Sequence, residues 1–140
     1  MWKILIVDDD PEMREFMSDA VDMLGYSVST ADSGGQAVRE ADRIRPDLVA
    51  LDIMLPDFDG WTAARRMRDL PGRRDLPVVF CSGSQQEAEH YMQCPPPASR
   101  FLLKPFDIDA LNAVIKEFLE TRRDDNRETQ LALPPPVPES

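Results

Sequence analysis

The chain has 140 residues, with 16 basic and 26 acidic side chains and a formal charge of -10. That length fits one domain, and a hydrophobic fraction of 42% is enough for a packed core. No apolar run approaches the roughly 20 residues of a membrane span, and net acidity speaks against a body that grips nucleic-acid phosphates. Residues 3–7 are apolar and rich in β-branched side chains, which predicts a buried strand. The chain enters this strand at once, without a signal-peptide layout, so a cytoplasmic setting is expected. Asp10 then suits an N-cap and Pro11 the first helical position. Met13, Phe16, Met17, Ala20, Val21 and Leu24 follow at helical spacing, and Gly25 suits the stop.

Residues 28–31 form a weaker second strand. Ser33 and Gly34 precede a helix carrying Ala37, Val38, Ala41 and Ile44, which Pro46 ends. Residues 48–51 are a third buried strand running into Asp52. A loop from Met54 to Gly60 leads to a helix with Trp61, Ala64, Met67 and Leu70. A fourth strand spans 77–81, a short helix 85–93, and a fifth strand 101–103. Ile108, Leu111, Val114, Ile115, Phe118 and Leu119 mark a last amphipathic helix. Strands that alternate with helices indicate an α/β fold, an open parallel sheet covered on both faces by right-handed crossovers. Residues 1–120 form this domain. Residues 121–140 turn charged and then proline-rich, which predicts a disordered tail or linker stub of extended character.

Ligands of such a sheet bind at the carboxyl ends of its strands. Asp8 and Asp9 end strand one, Asp52 strand three, Ser82 strand four and Lys104 strand five. Three carboxylates gathered there repel one another. At ~4 Å and an effective dielectric of ~20, each pair costs about 4 kcal/mol. A cation relieves that cost, and hard oxygen ligands favour Mg2+, which often shares its site with phosphate oxygens. A lysine and a hydroxyl at the same edge can hold the remaining oxygens of a phosphoryl group. The set suits phosphoryl transfer to or from a carboxylate, which is mainly positioning and charge neutralisation. Each residue also has a structural role open to it: Asp8 to Asp10 as a capping cluster, Ser82 as a loop hydroxyl, Lys104 as a solvated lysine. The convergence of four strand ends outweighs those roles.

The segments Ile4-Leu-Ile-Val-Asp-Asp-Asp-Pro11, Asp52-Ile-Met-Leu-Pro-Asp-Phe-Asp-Gly60, Pro77-Val-Val-Phe-Cys-Ser82 and Phe101-Leu-Leu-Lys-Pro-Phe106 resemble the receiver domain of two-component response regulators, over about residues 1–120. The resemblance implies a flavodoxin-like, doubly wound five-stranded parallel sheet in the order 2-1-3-4-5 with five helices. It implies that Asp52 is the phosphoacceptor. Asp9, Asp52 and the Met54 backbone carbonyl would bind Mg2+, with Asp8 acting through water or by orienting a ligand. Lys104 would pair with the phosphoryl group, Ser82 would be the switch hydroxyl and Phe101 the switch aromatic, and Lys104-Pro105 would be cis. A histidine kinase or phosphotransfer protein would donate the phosphoryl group. The implied function is a phosphorylation-dependent signalling switch, a stand-alone receiver or a fragment of a longer regulator, whose catalysis is limited to its own phosphorylation and dephosphorylation.

Output would be a protein contact on the face of the fourth helix, fifth strand and fifth helix, with homodimerisation there as the runner-up and no direct nucleic-acid or membrane contact. Cys94-Pro-Pro-Pro-Ala-Ser99 departs from the family's small-residue turn and should reshape that face. The alternative is a Mg2+-dependent phosphohydrolase of the haloacid-dehalogenase type. Asp8 and Asp10 would be its paired aspartates, with Ser82 and Lys104 in support, but the further acids and cap insertion it needs are missing.

Other features have plainer roles. Arg65, Arg66, Arg68, Arg73 and Arg74 read as a solvated face rather than a docking patch. Trp61 and the helical methionines read as core. Cys81 and Cys94 give no disulfide framework or metal spacing and are expected to be reduced. His90, the single histidine, is expected to be solvated and excludes a multi-histidine metal site.

Overall fold

In a computed structural model of the chain, the backbone is described for residues 1–131 and the side chains for residues 1–120. The elements run β1 (Lys3–Val7), α1 (Pro11–Met23), β2 (Ser27–Ala31), α2 (Gly34–Ile44), β3 (Leu48–Asp52), α3 (Gly60–Arg68), β4 (Val78–Ser82), α4 (Gln85–Gln93), β5 (Ser99–Leu103) and α5 (Ile108–Leu131). The strands form one sheet in the order β2-β1-β3-β4-β5, and every pair is parallel.

Alternation along each strand builds two cores. Leu5, Val7, Val49, Leu51, Val78 and Phe80 face α2, α3 and α4, where Ala37, Ala41, Ala63, Ala64, Met67 and Tyr91 meet them. Ile4, Ile6, Leu48, Ala50, Val79 and Cys81 face α1 and α5, with Met17, Val21, Leu111, Ile115 and Leu119. Each fully buried aliphatic side chain contributes about 1.5–3 kcal/mol. Helix starts follow local chemistry. The side chains of Asp10, Ser33, Asp59 and Ser84 accept backbone N–H bonds at the first turns of α1, α2, α3 and α4. Gly25, at φ 98°, reverses the chain after α1.

Several boundaries and burials differ from expectation. β5 begins at Ser99, because Arg100 and Ser99 pair with Val79 and Val78 although neither is apolar by type. Phe16 shares the spacing of the α1 core residues yet is 51% exposed, since only Met17 and Val21 of that helix are buried. The apolar pattern of the last helix stops near residue 120, but the helix itself continues to Leu131. Residues 121–131 hold no Gly or Pro to break a helix, so propensity carries it on. The proline-rich part of the expected tail or linker lies in residues 132–140, outside the described residues. Among the described residues no helix is long and apolar enough to cross a membrane.

Candidate phosphoacceptor site

β1 and β3 are neighbours, so their ends bring Asp8, Asp9 and Asp52 to one point. One carboxylate oxygen from each lies within 4.8 Å of the others. Asp8 and Asp52 are buried, and Asp9 is exposed. Lys104 reaches in from the end of β5. Its Nζ donates to Asp8 Oδ2 at 2.9 Å and sits 3.5 Å from Asp52 Oδ2. The Lys104-Pro105 peptide is cis.

The charges do not balance. Burial pushes the Asp52 carboxyl up to about 6; the neighbouring acids Asp8 and Asp9 add to the rise, while Lys104 and the Met54 N–H oppose it. For Lys104, burial favours the neutral amine, but the hydrogen bond to Asp8 and the charges of Asp52 and Asp8 prevail and hold its pKa above the ordinary value. Asp52 is therefore mostly ionised at neutral pH, beside one ammonium and two further acids. Three hard oxygen donors with a single amine are a donor set for a divalent cation such as Mg2+.

Ser82 ends β4, next to Cys81, which pairs with Asp52. It is buried, and its Oγ accepts the Ser84 N–H at 3.0 Å. Phe101 pairs with Phe80 across β4 and β5 and is half-buried, its ring 5.4 Å from that of Tyr91. Met54 presents an exposed side chain while its N–H bonds Asp52. Asp10 caps α1, and its N–H donates to Asp8 Oδ1 at 2.9 Å. Cys81 is buried, and its thiol is pushed up to about 12 by that burial, so it stays protonated.

Two supports of the site have no signature in the sequence. Arg14 Nη1 donates to the Asp8 carbonyl at 2.7 Å and holds the turn after β1. Asp57, in the loop after β3, accepts the N–H groups of Gly34 and Gly35 at 2.8 Å each, tying that loop to the start of α2. A pairing across more than 20 residues leaves no local sequence signal. Gly60 closes the same loop, where a Cβ would lie 2.5 Å from the Asp52 carbonyl oxygen. The arginine run also needs correcting. Arg68 is not solvated: its guanidinium donates to the Leu76 carbonyl at 2.8 and 3.1 Å and to the Ala98 carbonyl at 2.9 Å. Arg73 reaches the Pro46 carbonyl, whereas Arg65, Arg66 and Arg74 are exposed.

A family model described as the response regulator receiver domain matches residues 4–116. The chain belongs to that family. Among curated relatives, the DNA-binding dual master transcriptional regulator RpaA of a Synechocystis species is 35% identical over 85% of this chain and 49% of its own length. The alkaline phosphatase synthesis transcriptional regulatory protein PhoP of Bacillus subtilis is 30% identical over 84% of this chain and 48% of its own. The receiver thus spans about half the length of these relatives. Among solved structures, chemotaxis protein CheY4 of Vibrio cholerae superposes with a TM-score of 0.76 at 26% identity, covering 85% of this chain and 99% of that one. The receiver domain of sensor histidine kinase PA1611 of Pseudomonas aeruginosa gives 0.75 at 30% identity, covering 84% and 96%, with a magnesium ion coordinated in its active site cleft. Neither the fold nor the matches support the haloacid-dehalogenase alternative.

Proposed function

We propose that this receiver takes a phosphoryl group on Asp52 and works as a phosphorylation-dependent switch. The observation that carries this is the ionisable Asp52 carboxylate, pushed up to about 6, 3.5 Å from Lys104 Nζ and beside Asp8 and Asp9. In the proposed step an Asp52 oxygen attacks the phosphorus of a phosphohistidine on a histidine kinase or phosphotransfer protein. The P–N bond breaks and the imidazole leaves. Lys104 pairs with the transferred group. Asp9, Asp52 and the Met54 backbone carbonyl would hold Mg2+, with Asp8 acting through water or orienting a ligand. The ion, when bound, neutralises charge on the phosphoryl oxygens.

Phosphorylation adds about two negative charges to the cleft. Ser82 would release the Ser84 N–H and turn to the phosphate, and Phe101 would move inward, shifting a pre-existing equilibrium. Output would run through α4, β5 and α5 as a protein contact, with homodimerisation second and no direct nucleic-acid contact by this domain. A cytoplasmic setting and a division into receiver (residues 1–120) and tail or linker (residues 121–140) belong to the same proposal.

The test is intact mass after incubation with an acyl phosphate and Mg2+. One phosphoryl group is expected on the parent and none on Asp52→Ala, with Asp9→Ala slowed through loss of a charged ligand. Equal uptake by Asp52→Ala would overturn the assignment.

A further inference from the structure

A groove of about 430 Å3 lies between α3 and α4, away from the phosphoacceptor edge. Trp61, Ala64 and Phe80 line it on one side, and Pro95, Pro96 and Pro97 on the other. His90 and Arg65 stand exposed at its rim. The groove is fixed from below. The Trp61 indole N–H donates to Glu87 Oε1 at 3.1 Å, and its ring packs on Phe80 at 4.5 Å and on the His90 edge at 5.3 Å. Ser99 Oγ bonds the Pro96 carbonyl and the Tyr91 hydroxyl, while the Ala98 carbonyl accepts from Arg68 and from the Val78 N–H. A wall held this way loses little freedom when something docks.

Aromatic-lined apolar grooves of this kind receive polyproline segments, which arrive already extended. The chain carries such a segment: Pro134-Pro-Pro-Val-Pro138, with Glu139 following to meet a basic rim. We infer that the groove between α3 and α4 binds the proline segment 134–138 of a second copy of this chain. The same copy's segment is out of reach. α5 packs on the opposite face of the sheet from α3 and α4. It runs twelve residues past Leu119, the last buried one among its described side chains, which is about 18 Å of helix. Only Ala132 and Leu133 then separate Leu131 from Pro134, three chain steps or about 10 Å at full extension. That length cannot return to the level of the sheet and cross it. Exchange between two copies meets no such limit, and a reciprocal exchange closes a two-fold dimer. This contact needs neither phosphorylation nor a metal.

Sedimentation equilibrium of the full chain tests it. The parent should double in mass with rising concentration. A tail variant (Pro134→Ser, Pro135→Ser, Pro136→Ser) and a groove variant (Arg65→Glu, His90→Glu) should each stay monomeric. Mixed, they should form a one-to-one pair, because the first supplies a groove and the second a proline segment. Thermal melts by circular dichroism confirm that both are folded, and Cys94→Glu, at an exposed wall residue, replaces the groove variant if it is not. A parent that stays monomeric up to about 1 mM, variants that associate like the parent, or a mixture that stays apart would each overturn the inference.

Discussion

The two ends of the sheet handle charge in opposite ways. At the carboxyl end, three acids face one lysine, and Asp52 is pushed up to about 6 because burial and its acidic neighbours outweigh Lys104 and the Met54 N–H. At the amino end, Arg68 is half-buried and its guanidinium is occupied by the carbonyls of Leu76 and Ala98. Burial lowers its pKa, with Asp75 and Tyr91 opposing, yet an arginine stays charged, and here the charge is matched by fixed dipoles. An unmatched cluster is left short of positive charge, which suits the cation and the phosphoryl group proposed for it. A matched one serves to hold strands and loops together.

The sharpest break in that comparison is the loss of the proposed acceptor. Asp52→Ala should lose phosphoryl uptake completely by intact mass, whereas Arg68→Met should retain it. In urea unfolding the order reverses. Arg68→Met keeps the apolar stem but leaves the Leu76 and Ala98 carbonyls without their charged donor. A loss of about 3 kcal/mol is expected, with a lowered midpoint as the readout.

Asp52 itself should destabilise the fold when ionised. Its carboxyl titrates at about 6 in the folded chain, against about 3.9 in an unfolded one. The folded state therefore binds more protons between these values, and stability falls as pH rises through about 4 to 6. With allowance for water at the cleft mouth, the cost at neutral pH is about 2 kcal/mol. Without divalent ions, Asp52→Asn should accordingly unfold at a higher urea concentration than the parent at pH 7, and at nearly the same one at pH 4. Millimolar Mg2+ should narrow the gap at pH 7 by stabilising the parent alone. The smallest effect belongs to an exposed charge. Arg66 lies over the Phe58 ring at 4.3 Å, and Arg66→Ala should cost only about 0.5 kcal/mol in the same assay.

Much of the acidic edge is legible in the sequence. Strand ends carrying Asp8, Asp9, Asp52, Ser82 and Lys104 stand out because apolar β-branched runs stop abruptly at polar residues, and a parallel sheet sends all those ends to one edge. Helix starts at Asp10 and Ser33 are legible because a cap bonds an amide two or three residues away. Phe16 escapes such a reading because helical spacing says which residues share a face, not how wide a strip the sheet covers. The arginine run escapes it for a related reason: Arg65, Arg66 and Arg68 are equivalent by type, and only the carbonyls of Leu76 and Ala98, brought to it by folding, set Arg68 apart.

Residue type and short-range spacing are enough for the parallel α/β sheet, its periodicity, the caps and the acidic edge. Tertiary structure sets the distances that give the edge its chemistry: Lys104 against Asp8 across 96 residues, and Asp57 against Gly34 and Gly35 across 23 and 22. It also sets which arginine is tethered and where three prolines come to line a groove opposite an indole. Contacts between residues distant in the chain depend on how helices seat against the sheet. No local pattern encodes that seating, because it is settled by the packing of the whole core at once.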